Sequence, residues 1–331
     1  MPSVMPNFFI VGAARSGTSS LVRYLGQHPE IYIPPWKEAL FFAAESLPRC
    51  FAGPGDERLN RLIIRDPEQY ARLFAAVREE KAIGESSVFY LCYPDAAERI
   101  ARTITDPRII VLLRNPVDRA YSAYMHLVRD GRETLTFAEG LDAEEERRRQ
   151  NFEPIWWYKA LGLYYGQVKH YLDVFGARRV HVVLYDDLCA DPQRVLRDIF
   201  SFLGVREDIA VDTSIRYNVA GIPKSRWLYT ILDNFIVDPS ALGQRAKRLM
   251  PERLRATLAN RLMNMILRRI PMEPQIRAQL RTWFAEDVAM LAELLHRDLS
   301  RWGAGPRTRM PVRDPAIEQD PQEDADGVHQ G

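Results

Sequence analysis

Four short apolar runs punctuate the chain: Phe8 to Val11, Lys81 to Gly84, Arg108 to Leu113 and Val180 to Tyr185. Each is followed by polar residues and then by a stretch with helical periodicity. Runs that are apolar throughout, instead of alternating, suit strands buried on both faces, and repeated strand, loop and helix predict βαβ units. The expected fold is therefore α/β in three layers, a central parallel sheet flanked by helices, with ligands gathered at the carboxyl ends of the strands. The site is then assembled from loops that start near residues 12, 85, 114 and 186.

The helical stretches carry their own start and stop signals. Pro94 and Asp95 open YPDAAERIARTI, while VDRAYSAYMHLVRDG and YKALGLYYGQVKHYLDVFG lie between the third and fourth strands, the second closing at Gly176. Asp191 stands as N-cap before Pro192 in DPQRVLRDIFSFLG, and an amphipathic pattern follows Pro274. From Ser225 to about Ile270 the chain reads as helical and basic, with Arg245, Lys247, Arg248, Arg253, Arg255, Arg261, Arg268 and Arg269 against few acids. One domain over residues 1–303, with that basic helical subregion at about 225–270, is followed by a tail over 304–331 whose composition predicts disorder. There is no internal repeat.

Composition narrows the class. A chain of 331 residues, 47% of them hydrophobic, can bury one large α/β core with a C-terminal helical region. The net charge of +1 gives no argument for nucleic acid, so any basic site is local. Cys50, Cys92 and Cys189 lie far apart and the six histidines have no ligand spacing, so no metal is expected. A strand begins too early to leave room for a secretory leader, and no segment has the apolar length of a membrane span, which predicts a cytoplasmic protein with reduced thiols. Oligomeric state is not legible.

Candidate chemistry begins at GAARSGTSS, residues 12 to 20, between a strand and a helix. Gly12 and Gly17 permit a tight backbone whose N–H groups point at one spot, and Thr18, Ser19 and Ser20 add hydroxyls, the outline of a phosphate-binding loop. Thr18 stands where a nucleotide triphosphatase needs lysine, and Arg15 lies in mid-loop instead. Asp186-Asp187 after the fourth strand reads as a turn cap, so γ-phosphate chemistry has neither its lysine nor a clear magnesium aspartate. A second candidate is RIIVLLRNPVDRAYSAYMH, where Arg114 ends a strand, Asn115 and Pro116 open a helix and Ser122 follows two turns on. An arginine fork and a hydroxyl suit a second phosphate.

The stretch FFIVGAARSGTSSLVRYLGQHPEIYIPPWKEALFF resembles the 5′-phosphosulfate-binding loop of sulfotransferases that use 3′-phosphoadenosine 5′-phosphosulfate (PAPS), a family that includes heparan sulfate, tyrosylprotein and many bacterial sulfotransferases. In that family the loop reads Pro-Lys-Ser-Gly-Thr-Thr or Arg-Lys-Gly-Gly-Thr, and in the tyrosylprotein enzymes Pro-Arg-Ser-Gly-Thr-Thr, with the basic residue at the place of Arg15. The resemblance runs from residue 8 to about 302 and is only general over 43–80 and 230–270. It implies a P-loop-like fold, PAPS as donor, and a 5′-phosphosulfate cradle of Arg15, Ser16, Gly17, Thr18, Ser19 and Ser20. Arg114 and Ser122, with the family's separation, are implied to hold the 3′-phosphate that distinguishes PAPS from ATP. Lys224, Ser225 and Arg226 have the character of the family's basic loop over the nucleotide without matching a strict pattern. A sulfuryl group carries less charge than a γ-phosphoryl group, so no magnesium clamp is needed, and Arg15 can steady charge on the departing phosphate oxygen.

On the acceptor side, Lys37-Glu38-Ala39-Leu40-Phe41-Phe42 is similar to the family's Lys-Glu-x-x-(Phe/Tyr)-Phe stretch. The resemblance implies that Glu38 is the catalytic base, with Lys37 tuning it or touching the donor. Glu85, at the end of the second strand, is the other candidate base, unless it caps the next segment. His126, one helical turn beyond Ser122, is a further acceptor-side candidate. Trp156, Trp157 and Tyr158 suit either a platform for a sugar or aromatic acceptor or the core. Glu144 to Arg149, EEERRR, reads as a solvated helical face. The basic run from Arg245 to Arg269 reads as the charged face of a helical lid, with an anionic acceptor or peripheral membrane contact as the other reading.

The expected activity is transfer of the sulfuryl group from PAPS to a hydroxyl or amine of a glycan, lipid or small metabolite, leaving the 3′,5′-bisphosphate PAP. A metal-dependent P-loop kinase and a non-catalytic nucleotide-binding module are the rivals.

Overall fold

The computed structural model describes residues 4–214, 222–223, 267–268 and 270–303. At its centre a five-stranded sheet runs β2-β3-β1-β4-β5, all neighbours parallel, from β1 (Phe8–Gly12), β2 (Ile31–Tyr32), β3 (Ala82–Ser86), β4 (Arg108–Leu113) and β5 (Val180–Leu184). The four apolar runs are four of these strands. The fifth, β2, is two residues long, too short to carry a pattern, and pairs at the sheet edge with Ala82 and Ile83. Tyr185 opens a helix instead of closing β5.

The helices, in chain order, are α1 (Thr18–Leu25), α2 (Glu57–Asn60), α3 (Pro67–Arg72), α4 (Pro94–Thr103), α5 (Pro116–Arg129), α6 (Phe137–Asp142), α7 (Glu144–Arg149), α8 (Tyr164–Phe175), α9 (Tyr185–Ala190), α10 (Pro192–Leu203) and α11 (Pro274–Leu295). Alternate side chains of the central strands feed two cores, which is why the runs are apolar throughout. Phe9, Val11, Ile109 and Val111 pack with α4, α5 and α8 on one face; Phe8, Ile10, Ile110 and Leu112 pack with α1 and α10 on the other. The packing is tight enough to dictate Gly84, where a Cβ would stand 2.2 Å from the Phe8 ring.

Two helical expectations are corrected. The periodic stretch from Tyr158 to Gly176 is helical only from Tyr164, after a single 3₁₀ turn at Ala160–Gly162. Asp287 of α11 accepts from Tyr164 N at 2.8 Å and Tyr165 N at 3.1 Å, so the α8 cap comes from another helix and no local pattern announces it. Helix α7 is not wholly a solvated face. Arg147 is buried and forks onto Glu133 at 2.7 and 2.9 Å, and Glu144 is buried where it accepts from Lys159 N and Ala160 N at 2.6 and 2.9 Å.

Lys224, Ser225 and Arg226, most of the basic run up to Arg269 and the tail over 304–331 lie outside the described residues. Among the described residues, no helix is long and apolar enough to cross a membrane, and no metal-ligating cluster is gathered.

Candidate active site

The sheet order creates the site. The connection leaving β1 runs to α1 on one face and that leaving β4 runs to α5 on the other, so the two part at the carboxyl edge and leave a crevice between them. The loop after β1 turns here through two left-handed residues, Arg15 at φ 69° and Gly17 at φ 97°. Gly17 also lies against Tyr185, whose ring would be 2.8 Å from an added Cβ. Helix α1 starts at Thr18 with no side-chain cap, and the Ser20 N–H turns back to the Gly17 carbonyl at 3.0 Å, so the positive end of the helix opens on the crevice.

Two turns meet in this crevice. Arg15 Nε donates to Ser122 Oγ at 3.4 Å, and Arg114 Nη1 donates to the Arg15 carbonyl at 3.2 Å while its guanidinium lies 4.9 Å from the Tyr185 ring centre. Arg15, Gly17, Thr18, Ser19, Ser20, Arg114 and Ser122 line one cavity of ≈ 170 Å³. Its remaining wall is Tyr24, Tyr185, Leu188, Cys189, Pro192 and Thr213. The sequence reading placed a loop near residue 186 at the site but singled out none of these six; a tyrosine or proline after a strand has no distinguishing pattern. Ser16 corrects the expectation for the cradle: it is fully buried, its N–H is taken by the Ala13 carbonyl at 3.2 Å, and its hydroxyl is turned toward Tyr164 behind the loop.

Charge is concentrated on this side. Burial, and then the nearby guanidinium groups of Arg129 and Arg114, push the Arg15 pKa down to about 9. Like charges held this close are what a bound dianion stabilises. Along α5, His126 Nδ1 meets Arg129 Nη2 at 2.7 Å. Burial, followed by Arg15 and Arg129, holds the His126 pKa well below the usual imidazole range, and the ring does not line the cavity.

The segment after β2 does not line that cavity but meets the loop after β1 through Lys37. Glu38, at φ 60°, donates its N–H to the Ser86 carbonyl at 3.0 Å and accepts from Val88 N at 2.9 Å through Oε2. The carboxyl is half-buried, and desolvation raises its pKa against the opposing effects of Lys37 and the Val88 N–H. Lys37 Nζ donates to Ser19 Oγ at 3.1 Å, which ties the acid segment to the phosphate loop. Burial lowers the Lys37 pKa.

Glu85 is not poised as a second base. It is 1% exposed and enclosed by hydroxyls, accepting from Ser87 Oγ, from Tyr90 OH at 2.8 Å and from Tyr70 OH at 3.2 Å. Desolvation pushes its pKa up to about 7 in spite of these donors. Tyr158 is fully buried and donates to Glu133 Oε2 at 2.8 Å, so it offers no face to an acceptor. Trp156 is buried too, its indole N–H held by Asp56 at 3.0 Å. Trp157 lies between the Tyr93 ring and the Arg148 guanidinium, away from the cavity wall.

A family model described as the sulfotransferase family matches residues 6–208, which include both turns and Glu38. The chain belongs to the sulfotransferase family. A solved sulfotransferase from Alicyclobacillus acidocaldarius is 48% identical, with a TM-score of 0.73 over 90% of this chain and 99% of that one. The membrane-associated sulfotransferase kil1 of Dictyostelium discoideum is 22% identical over 282 residues, 61% of this chain and 56% of the relative. Human heparan sulfate glucosamine 3-O-sulfotransferase 3B1 is 25% identical over 214 residues, 65% of this chain and 50% of the relative. This sulfotransferase chain thus spans about half the length of the curated relatives it matches.

Proposed function

We propose that this sulfotransferase moves the sulfuryl group of PAPS to a hydroxyl or amine acceptor and releases PAP. The observation that carries the reading is the union of two phosphate grips in one cavity, Arg15 with Ser122 at 3.4 Å and Arg114 with the Arg15 carbonyl at 3.2 Å. A nucleotide with phosphate at both its 3′ and 5′ ends suits such a pair, whereas ATP offers nothing to the second grip. The crowded guanidinium groups and the uncapped α1 amides fit an anionic donor, and Tyr24, Tyr185 and Leu188 give its base an apolar wall.

PAPS supplies the sulfuryl group: its sulfur bonds to the acceptor oxygen or nitrogen as the bond to the 5′-phosphate oxygen breaks, the electron pair leaving on that oxygen. Arg15, with the α1 amides and the hydroxyls of Thr18, Ser19 and Ser20, faces the charge that grows there. Glu38 takes the acceptor proton. Its burial keeps it more basic than a solvated glutamate, while half-exposure leaves it within reach. Lys37, fastened to Ser19, stands between base and donor. Arg114 and Ser122 hold the 3′-phosphate. No metal takes part in this reading.

The acceptor class is a glycan, lipid or small metabolite; relatives named for glucosamine 3-O-sulfation support a sugar hydroxyl within it. We place its action in the cytoplasm, and a membrane-associated relative supports peripheral contact with a membrane. The test is thermal stabilisation. At a hundred times its dissociation constant, PAP adds about 2.7 kcal/mol, a rise of about 4 °C, undiminished by EDTA. Stabilisation by ATP with magnesium and none by PAP overturns the proposal.

A further inference from the structure

Glu85 is a buried acid that the reaction leaves unused, yet its neighbours lead directly to the base. Ser87 Oγ, which donates to Glu85 Oε1, accepts from Leu40 N at 3.0 Å. Tyr90 OH, which donates to Glu85 Oε2 at 2.8 Å, accepts from Phe42 N at 3.2 Å. With Glu38 N on the Ser86 carbonyl and Val88 N on the Glu38 carboxylate, the segment 38–42 is stitched to the segment 86–90 at four points. Two of the four run through hydroxyls that Glu85 orients. The stitching is needed because Glu38 and Leu40 have φ of 60° and 49°, left-handed conformations unfavourable by about 1–2 kcal/mol each for residues with a side chain.

A hydroxyl has a single proton and can point it either way. A carboxylate, which only accepts, removes the choice. We propose that Glu85 is a positioning residue for Glu38: its carboxylate draws the protons of Ser87 and Tyr90, and so turns their lone pairs to the Leu40 and Phe42 amides that fix the base. The inference rests on Glu38 as the base for its functional meaning, but its physical content does not. A protonated Glu85 donates to one of its hydroxyl partners and competes with an amide for that oxygen. The groups facing it are Tyr70 from α3, Ser87 and Tyr90 from the segment after β3, Glu38 with Lys37 from the segment after β2, and Tyr171 from α8, whose hydroxyl donates to the Tyr90 carbonyl at 3.0 Å.

The test is amide hydrogen exchange on the acceptor-free protein from pH 5.5 to 8.5, corrected for intrinsic rates. Protection at Leu40 and Phe42 should rise about threefold to tenfold through a midpoint near 7, where Glu85 ionises. Glu85→Gln should hold both amides at the low-pH level at every pH, and Ser87→Ala should expose Leu40 alone, which keeps the test usable if the first variant does not fold. Glu38→Gln should move the midpoint down, because the Glu38 charge is one of the effects that raise the Glu85 pKa. A flat profile at both amides, or wild-type protection in Glu85→Gln, overturns the proposal. Full turnover by Glu38→Gln would instead remove Glu38 as the base while the exchange step stayed in place, so the two failures are distinguishable.

Discussion

Replacing Arg114 by alanine separates the two ends of the donor. Its guanidinium lies on the Tyr185 ring and lends one N–H to the Arg15 carbonyl at 3.2 Å, leaving the rest of its fork for the proposed 3′-phosphate. A hydrogen bond to a charged group contributes about 1.5–3 kcal/mol, and a unit charge pair at 4 Å about 4 kcal/mol at an effective dielectric of 20. A loss of about 2–3 kcal/mol follows, so Arg114→Ala should weaken PAP about 30- to 150-fold. Adenosine 5′-phosphate lacks the 3′ group and feels only the loosened Arg15 carbonyl, about 0.5–1 kcal/mol or twofold to fivefold. Arg114→Lys keeps the charge without fork or stacking and should fall between the two. Isothermal titration of both nucleotides against the three proteins, at one fixed salt concentration, gives the difference directly. Equal losses for PAP and adenosine 5′-phosphate would refute the assignment, because Arg114 would then serve the cavity as a whole.

Glu38→Gln should leave PAP affinity within about twofold and lower turnover by about 10²–10⁴-fold, read as PAP released from PAPS in the presence of acceptor-containing extract; parallel losses in both would contradict a base. Cys189 lines the cavity while Cys50 lies on the exposed surface, so saturating PAP should slow maleimide alkylation of Cys189 and leave Cys50 unchanged, as followed by peptide mass spectrometry. Glu153 and Asp56 share Arg132 Nη2 in the interior, and burial pushes the Glu153 pKa up to about 8. Between the ordinary glutamate range and that value the native state binds the extra proton, so this group makes stability fall as pH rises, and urea unfolding of Glu153→Gln should show a shallower decline from pH 5 to 8 than the wild type.

The fold and the meeting of the two turns in one crevice were legible for one reason, and the surroundings of the carboxylates were not for another. Buried parallel strands impose long apolar runs, and a loop that must point amides at an anion needs glycines and hydroxyls at fixed offsets, so Gly17, Thr18, Arg114 and Ser122 announce themselves. Ser16 differs from Arg15, Gly17 and Thr18 because they line the cavity while its own side chain turns into the core, a distinction set by the left-handed Arg15 and Gly17 on either side. Tyr185, Leu188 and Pro192 reach the cavity only because β5 lies beside β4 in the sheet. Glu85 is a strand-end carboxylate that turns inward. Whether a carboxylate at a strand end faces the crevice or the core depends on Tyr70, Tyr90 and Ser87, and their convergence on it is tertiary.

The order of the central strands explains why the β1 loop touches both the Glu38 segment and Arg114. Along the carboxyl edge β3, β1 and β4 stand side by side: Ser86 at the end of β3 and Val88 after it hold the Glu38 segment, the loop after β1 carries Arg15, and β4 leads into Arg114. Among the influences on the Glu38 carboxyl, burial raises its pKa and Lys37 is the cation that opposes it. Lys37 also joins the Glu38 segment to α1, its ammonium on Ser19 and its backbone next to Glu38. A substitution that frees Lys37 from Ser19 should thus disturb both neighbours at once, raising the Glu38 pKa as the opposing cation leaves and loosening the first turn of α1. Lys37→Met tests this: both PAP affinity and the Glu38 titration, followed by carboxyl carbon NMR, should move. A change in only one of them would mean that Lys37 belongs to one side of the site and links nothing.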